Sequence, residues 1–204
     1  MRRGVFLSLD GVDGAGKSTQ CRLLADWLRA KGHDVVECHD PGGTALGQEL
    51  RHILLNYRGK MTLMAEAMLF MASRAQLVAD VIRPALEAGK TVICDRFLLA
   101  NVVYQGHGGG LDPAQLWQVG LVATGGLEPD LTLVLDLPLE VALSRRKANA
   151  DRLESRGDDY FERVRAGFLA EARRRPERFH VIDASAPSEI VQERIRAACS
   201  NLAS

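Results

Sequence analysis

The chain has 204 residues with 26 basic and 26 acidic side chains, and 47% of its residues are hydrophobic. This length suits one domain with a sizeable core, and the balanced charge offers no general attraction to nucleic acid or to an anionic membrane, so any phosphate binding must be local. The four cysteines lie far apart, without the spacing of a zinc site or a disulfide framework, and we expect thiols in a reducing cytoplasm.

The first predicted element is a short buried strand, residues 5–9, that leads directly into a glycine-rich loop. Because its apolar run ends at Asp10, we interpret it as a strand and not as a signal peptide, and we expect no later stretch to span a bilayer. An amphipathic helix is predicted over residues 20–30, and Gly32 is placed as its C-terminal stop.

The loop between this strand and this helix reads Gly-Val-Asp-Gly-Ala-Gly-Lys-Ser and is typical of a phosphate-binding loop. Glycines let the backbone N–H groups surround phosphate oxygens at the positive end of the following helix. Lys17, exposed to the ligand and not part of the core, is expected to reach the β and γ phosphates, and the Ser18 hydroxyl to hold Mg²⁺. The residues predicted to bind the nucleotide are Gly11, Val12, Asp13, Gly14, Ala15, Gly16, Lys17, Ser18 and Thr19.

Strand patterns and helical patterns alternate along the rest of the chain. This alternation predicts one α/β domain, with a five-stranded parallel sheet covered by helices on both faces. Ligands of such sheets bind beyond the carboxyl ends of the strands, where the sequence places Asp10, Asp40, Asp95 and Asp136. The four further predicted strands are residues 34–38, 91–94, 131–135 and 180–182.

Two segments interrupt the alternation. Residues 41–87 are mostly helical and longer than one crossover requires, so they form either an insert with its own function or a larger covering layer. Residues 145–157 are rich in arginine, which usually indicates a solvated surface. Because this segment follows the fourth strand and its helix, a role next to the bound nucleotide is favoured.

Seven motifs in order resemble those of thymidylate kinases of the bacterial type, within the P-loop nucleoside monophosphate kinase family. They are residues 11–18, 41–44, 69–74, 95–97, 104–106, 129–132 and 151–154, and together they cover nearly the whole chain. The resemblance implies a P-loop NTPase fold in which the helical insert closes over the monophosphate and the arginine-rich segment forms a lid over ATP. It also implies transfer of the γ-phosphoryl group of ATP to dTMP with Mg²⁺, and a cytoplasmic homodimer.

The resemblance implies roles for residues around the nucleoside. Phe70 would stack on the thymine ring, and Arg74 would donate a hydrogen bond to its O4 edge. Asn101 and Gln105 would face the base, and Tyr104 would crowd the 2′ position of the sugar. From the sequence alone, core packing within an apolar helical stripe is the favoured interpretation of Phe70, and an ordinary half-buried aromatic residue is the favoured interpretation of Tyr104.

The resemblance also implies roles around the phosphates. Arg51 would grip the acceptor phosphate, and Asp13 would meet the 3′-hydroxyl. Asp95 and Arg96 would organise Mg²⁺ and the phosphates, although without the resemblance they are equally well a simple ion pair. The implied catalytic residues are Lys17, Asp95, Arg96 and the lid residue Arg152, and the implied metal ligands are Ser18 and Asp95.

Three positions depart from the family pattern. His39-Asp40 stands where many relatives carry Arg-Glu, which leaves open how the following loop is anchored. Ala100 replaces a common serine, so a polar contact is absent or is made by Asn101. Gly14 lies where some relatives place an arginine, which shifts the cationic role to the lid.

Two alternative functions remain at this stage. A kinase for another nucleoside monophosphate would share all of these features. A GTP-dependent switch or another non-kinase nucleotide-binding protein would share the phosphate loop, and residues 40–43 fit the loose Asp-x-x-Gly pattern of such switches. The sequence contains no Asn-Lys-x-Asp guanine-binding motif, however.

Overall fold

Five parallel strands form the centre of the protein, in the order β2-β3-β1-β4-β5. The computed structural model describes residues 3–145 and 156–200. Each predicted strand is confirmed, with small differences at its ends. The strands are β1 Phe6–Gly11, β2 Val35–His39, β3 Thr91–Asp95, β4 Leu131–Asp136 and β5 Phe179–Asp183.

Helices connect the strands and cover both faces of the sheet. Two π-helical segments continue α-helices: Val78–Ile82 joins α3 to α4, and Val102–Gly108 follows α5. The α-helices are α1 Lys17–Ala30, α2 Ala45–Asn56, α3 Leu63–Leu77, α4 Arg83–Glu87, α5 Leu98–Asn101, α6 Pro113–Thr124, α7 Leu139–Ser144, α8 Asp158–Arg174 and α9 Ser188–Cys199.

Successive residues of β1 and β3 face opposite layers of the core. Phe6 and Val92 pack into one hydrophobic cluster, whereas Leu7 and Ile93 pack into the other. This two-sided burial is the reason these strands read as continuous apolar runs. The predicted sheet with helices on both faces is therefore confirmed.

The predicted helical insert is formed by α2, α3, the π-helical segment and α4. Threonine hydroxyls cap the first two helices: Thr44 accepts a hydrogen bond from Gly47 N at 3.0 Å, and Thr62 accepts one from Ala65 N at 3.2 Å. Such caps fix where each helix begins. Phe70 and Arg74 lie four residues apart on α3 and so project from the same face of that helix.

Across residues 3–145 and 156–200, every helix is too short or too polar to cross a bilayer.

Candidate active site

The phosphate-binding loop folds tightly between the end of β1 and the start of α1. Gly11, Gly14 and Gly16 have φ angles of 136°, 86° and 91°, which side-chain-bearing residues rarely adopt. A Cβ atom at Gly14 would lie 2.5 Å from the carbonyl oxygen of Ala142. Glycine at this position is therefore required by the close approach of α7, which explains why this chain has no arginine there.

Lys17 lies in the first turn of α1, and its ammonium points back into the loop. Its Nζ donates to the carbonyl oxygen of Val12 at 2.8 Å and lies 3.9 Å from Asp13 Oδ1. The side chain is only 7% exposed, so the expectation of an exposed lysine is wrong: the loop encloses it. Burial, with a further contribution from Arg96, lowers the pKa of Lys17 to about 8.

The two predicted metal ligands meet beside the loop. Ser18 Oγ donates to Asp95 Oδ2 at 2.5 Å, and Asp95 ends β3 next to β1. Close by, Asp10 is buried, and its Oδ1 has no hydrogen-bond partner among the described residues. A hydroxyl and carboxylates are the hard oxygen ligands that Mg²⁺ prefers, so the residues present fit this cation.

Arg96 contacts the phosphate loop, whereas its neighbour Asp95 contacts Ser18. The Arg96 φ of 68° is unusual for a residue with a side chain and turns the guanidinium toward the loop. There it forms an ion pair with Asp13 and donates to Gly11 O at 2.9 Å and to Tyr104 Oη at 3.1 Å. Among the described contacts, Asp95 therefore binds Ser18, and Arg96 binds the phosphate loop and Tyr104. The alternative interpretation, a simple ion pair between Asp95 and Arg96, is wrong.

Asp13 connects the phosphate loop to the neighbouring cavity. Tyr104 Oη donates to its Oδ2 at 3.1 Å, while its other oxygen pairs with Arg96. Burial alone would raise the pKa of Asp13, but Arg96 and Lys17 outweigh it and hold that pKa well below its usual range. The carboxylate is therefore charged at neutral pH and available as a hydrogen-bond acceptor.

A cavity of about 160 Å³ opens between the insert and the π-helical segment Val102–Gly108. All the predicted substrate-binding residues line it, so the structure brings them together. Phe70 is half-buried at its wall and does not lie wholly in the core. The predicted residues in the lining are Asp13, Arg51, Phe70, Arg74, Arg96, Asn101, Tyr104 and Gln105, and Ala100 lies beside them.

Asp40 anchors the floor of this cavity. Arg74 is 1% exposed, and its Nε lies 2.6 Å from Asp40 Oδ2. Burial raises the pKa of Asp40, and the adjacent arginine opposes that rise. Asp40, which is one methylene shorter than the glutamate of many relatives, therefore holds Arg74. The backbone N–H of Asp40 also donates to Asp95 O at 3.1 Å.

The remaining predicted site arginines lie at the rim or beyond it. Arg51 is exposed and donates from Nη1 to Pro41 O at 3.0 Å, which places its guanidinium over the loop that precedes α2. Arg152 lies outside the described residues. Arg145 is described, and its Nη1 lies 3.5 Å from Gly14 O.

Sequence reasoning missed Glu66 and Tyr160, and it considered Arg156 only as a member of the arginine-rich segment. Glu66 is buried and accepts a hydrogen bond from Gln105, and it also pairs with Arg156, which in turn donates to Tyr160 Oη. An acidic residue four positions before Phe70, within an apolar stretch of helix, was the available signal. Its partners lie too far along the chain to be read from spacing.

Burial of Asp10 predicts a pH-dependent stability. Burial raises its pKa from 3.8 to about 7, against the opposing charges of Arg96 and Lys17. Because the folded-state pKa is the higher one, the folded protein holds an extra proton between these values. Relative to Asp10→Asn, wild-type stability should therefore fall as the pH rises from about 4 to 7, by up to about 1.4 kcal/mol per pH unit.

Urea unfolding of wild type and Asp10→Asn across this pH range measures the effect. Parallel stability curves for the two proteins would show that Asp10 has no shifted titration.

Together the fold and the site define a P-loop kinase with an acceptor cavity beside its phosphate loop. A family profile described as thymidylate kinase matches residues 9–195. The chain is 52% identical over 194 residues to a thymidylate kinase of Rhodopirellula baltica, covering 95% of this chain and 79% of the relative. It is 50% identical to a thymidylate kinase of Desulfovibrio desulfuricans, covering 95% and 94% of the two chains.

A solved structure agrees with these sequence comparisons. The crystal structure of thymidylate kinase from Ehrlichia chaffeensis superposes with a TM-score of 0.78 at 30% identity, covering 96% of this chain and 99% of that one. The chain therefore belongs to the thymidylate kinase family. The predicted P-loop NTPase fold and the predicted class, a phosphotransferase that phosphorylates dTMP, are confirmed.

Proposed function

We propose that the protein transfers the γ-phosphoryl group of ATP to dTMP, giving dTDP and ADP, through the residues assigned above. One observation carries these assignments. Asp13 belongs to the phosphate loop and also lines the acceptor cavity, and Arg96 lines the same cavity and binds the loop. Two phosphorylated substrates held on either side of these residues would have their reacting groups adjacent. Such alignment removes much of the entropic cost of a two-substrate reaction.

The reaction requires charge stabilisation and no covalent intermediate. An acceptor phosphate oxygen forms a bond to the γ-phosphorus as the bond to the β–γ bridging oxygen breaks, through a loose transition state with charge spread over its oxygens. Lys17 exchanges its hydrogen bond to Val12 O for a phosphate oxygen, and Arg96 supplies a second cation. Mg²⁺ held by Ser18 and Asp95 would neutralise charge on the phosphates of ATP.

Base recognition rests on one face of α3 and on the π-helical segment. Phe70 provides an aromatic surface for stacking, and Arg74 is held rigidly by Asp40 so that it donates toward the cavity. Tyr104 is fixed by Asp13 and Arg96, where its ring crowds the sugar. A base with an acceptor at its C4 position suits this arrangement, and a base with an amino group there does not.

Substrate selectivity tests this proposal directly. The thymine methyl group is worth about 0.8 kcal/mol when buried, or roughly fourfold, so dUMP should be a poorer but detectable substrate. With dCMP, Arg74 would face an amino group in place of an acceptor, so kcat/KM should be lower by two or more orders of magnitude, on the order of losses at polar sites left unpaired.

Initial rates with ATP and a panel of nucleoside monophosphates measure this selectivity. Comparable kcat/KM for dCMP and dTMP would contradict the assigned base pocket, and a preference for another monophosphate would favour the alternative kinase.

For the assembly we propose a cytoplasmic homodimer, as the family resemblance implies. The packed pair α3 and α6 carries exposed apolar side chains at Met64, Val119 and Val122, of which Val122 is 83% exposed. Apolar surface of this kind often marks an interface. Sedimentation equilibrium measures the mass in solution, and a monomer at micromolar concentration would contradict the proposal.

A further inference from the structure

Two thiols face each other near the carboxyl ends of β2 and β3, next to the site. Cys38 of β2 and Cys94 of β3 are register partners in these neighbouring parallel strands. Register partners point to the same face of a sheet, and both side chains belong to the hydrophobic cluster that contains Phe6. Both are free thiols, whereas Cys21 and Cys199 pack in the other cluster.

The spacing of the two strands suits a bond between the sulfur atoms. Neighbouring strands lie about 4.8 Å apart, within the range of about 4.4–6.8 Å between Cα atoms that a disulfide spans. Among the described strands β2 pairs with β3 alone, so this edge strand can adjust its position to let the sulfur atoms meet. Burial, with a further contribution from the nearby Cys38 thiol, raises the pKa of Cys94 well above its usual range.

One of the two thiols is open to an oxidant from solution. Cys38 is half-buried, whereas Cys94 is fully buried. Because access controls which thiol reacts with an external reagent, attack begins at Cys38. Cys94 then acts as the resolving thiol, which lies beside the modified sulfur.

The reaction balances when a low-molecular-weight disulfide, such as glutathione disulfide, is the oxidant. The Cys38 sulfur attacks one glutathione sulfur, the S–S bond of the oxidant breaks, and one glutathione thiol leaves with the proton of Cys38. The Cys94 sulfur then attacks the mixed disulfide at Cys38, and the second glutathione thiol leaves with the proton of Cys94. The protein loses two hydrogen atoms, and the oxidant is reduced to two thiols.

Cys94 connects this chemistry to the phosphate loop. Its Sγ donates a hydrogen bond to the backbone carbonyl oxygen of Arg96 at 2.9 Å. Arg96 has the unusual φ of 68° and binds the loop through Gly11 O and Asp13. A disulfide sulfur carries no hydrogen and must turn toward Cys38, so oxidation removes this bond to Arg96.

Cys38 connects the same chemistry to the acceptor cavity. Asp40 follows it by two residues and holds Arg74, with Asp40 Oδ2 2.6 Å from Arg74 Nε. The backbone N–H of Asp40 donates to Asp95 O at 3.1 Å. Drawing β2 toward β3 at Cys38 therefore shifts Asp40, and with it the arginine at the floor of the cavity.

We propose that Cys38 and Cys94 form a modification site, in which a low-molecular-weight disulfide converts the two thiols reversibly into a disulfide bond that lowers turnover. The effect on turnover rests on the proposed dTMP kinase activity. Formation of the bond does not depend on that activity.

The test equilibrates the folded wild-type protein with increasing ratios of oxidised to reduced glutathione. Equilibrium is needed because the raised pKa of Cys94 slows the second step. We expect two of the four thiols to resist alkylation, and the mass to fall by two hydrogen atoms. The value of kcat/KM for dTMP should fall about fivefold or more, the order expected for one lost hydrogen bond, and dithiothreitol should restore it.

Cys38→Ser is the matched control. The residue is half-buried on an edge strand, so the variant should fold, but it cannot form the bond. Its kcat/KM should stay constant across the same buffers. Cys199→Ser keeps the pair and should respond like wild type. An equal loss of activity in oxidised Cys38→Ser would assign the loss to another group and overturn the proposal.

Cys94→Ser tests the order of the two steps. Serine keeps a hydroxyl that can donate to Arg96 O, so kcat/KM of the reduced variant should stay within about threefold of wild type. Without the resolving thiol, glutathione should remain attached to Cys38 and raise the mass of the variant. Should Cys94→Ser fold poorly, the comparison of wild type with Cys38→Ser is still decisive.

Failure of this inference differs from failure of the proposed function. If wild type did not phosphorylate dTMP, the proposed activity would be wrong, yet the thiol count would still show whether the bond forms, and dTMP affinity of the oxidised and reduced protein would show its effect on the site. Four reactive thiols at every ratio, glutathione alone attached to wild-type Cys38, or a disulfide that changes neither turnover nor dTMP affinity would overturn the proposal.

Discussion

Replacing Lys17 with methionine should lower kcat by about a hundredfold or more, because one preorganised cation on the transferred phosphoryl group is lost. Methionine keeps much of the buried stem, and the bond to Val12 O that disappears is offset by removal of a buried ammonium whose pKa burial has lowered to about 8. Stability should therefore change little. Steady-state kinetics with dTMP and thermal unfolding measure both quantities.

Lys31→Met provides the matched control at the opposite end of α1. Lys31 is exposed and lies over the ring of Trp27, away from the phosphate loop. Its loss should leave kcat unchanged. Near-normal turnover in Lys17→Met would mean that the loop has been misinterpreted.

Replacing Arg152 with alanine should lower kcat by about tenfold or more while dTMP binding stays nearly constant, because a lid arginine acts mainly in the transition state. The close approach of Ala142 excludes an arginine at position 14 of the phosphate loop, so we expect a further mobile cation, beyond Lys17 and Arg96, to come from the lid. Arg156 is already engaged with Glu66 and Tyr160, which removes one competitor for this role.

Arg145→Ala is the informative comparison for Arg152. Arg145 lies against the phosphate loop at Gly14 O and is the other candidate cation of this segment among the described residues. Single-turnover rates and dTMP affinities of the two variants separate the roles. An unchanged kcat for Arg152→Ala together with a large loss for Arg145→Ala would assign the transition-state contact to Arg145.

Sequence patterns were sufficient to predict the features that depend only on residues adjacent in the chain. The phosphate loop is contiguous, so the glycine spacing, Lys17 and Ser18 were predicted from adjacent letters of the sequence. The strands were predicted from short apolar runs, since strands covered on both faces bury every side chain. The start of α1 was the exception: the helix begins at Lys17, because the last residues of the loop are its first turn.

Several features of the site depend on contacts between distant segments, and spacing did not reveal them. Asp40 was recognised as a departure, yet its pairing with Arg74 follows only from the packing of α3 against the end of β2. Likewise Cys38 and Cys94, which look unrelated along the chain, lie directly opposite each other in the β2–β3 register as free thiols.

By itself the sequence determined the class of fold and the phosphate loop, because motifs and periodicity are properties of short segments. The resemblance to a known family implied most of the residues that line the acceptor cavity. Only the tertiary structure decided how those residues are oriented. Glu66 and Arg156 are 90 positions apart, and whether a buried carboxylate meets its cation depends on how α3 and α8 close around the cavity. That closure results from packing of the whole domain, so the pairing of Glu66 with Arg156 beside Gln105 is a property of the fold.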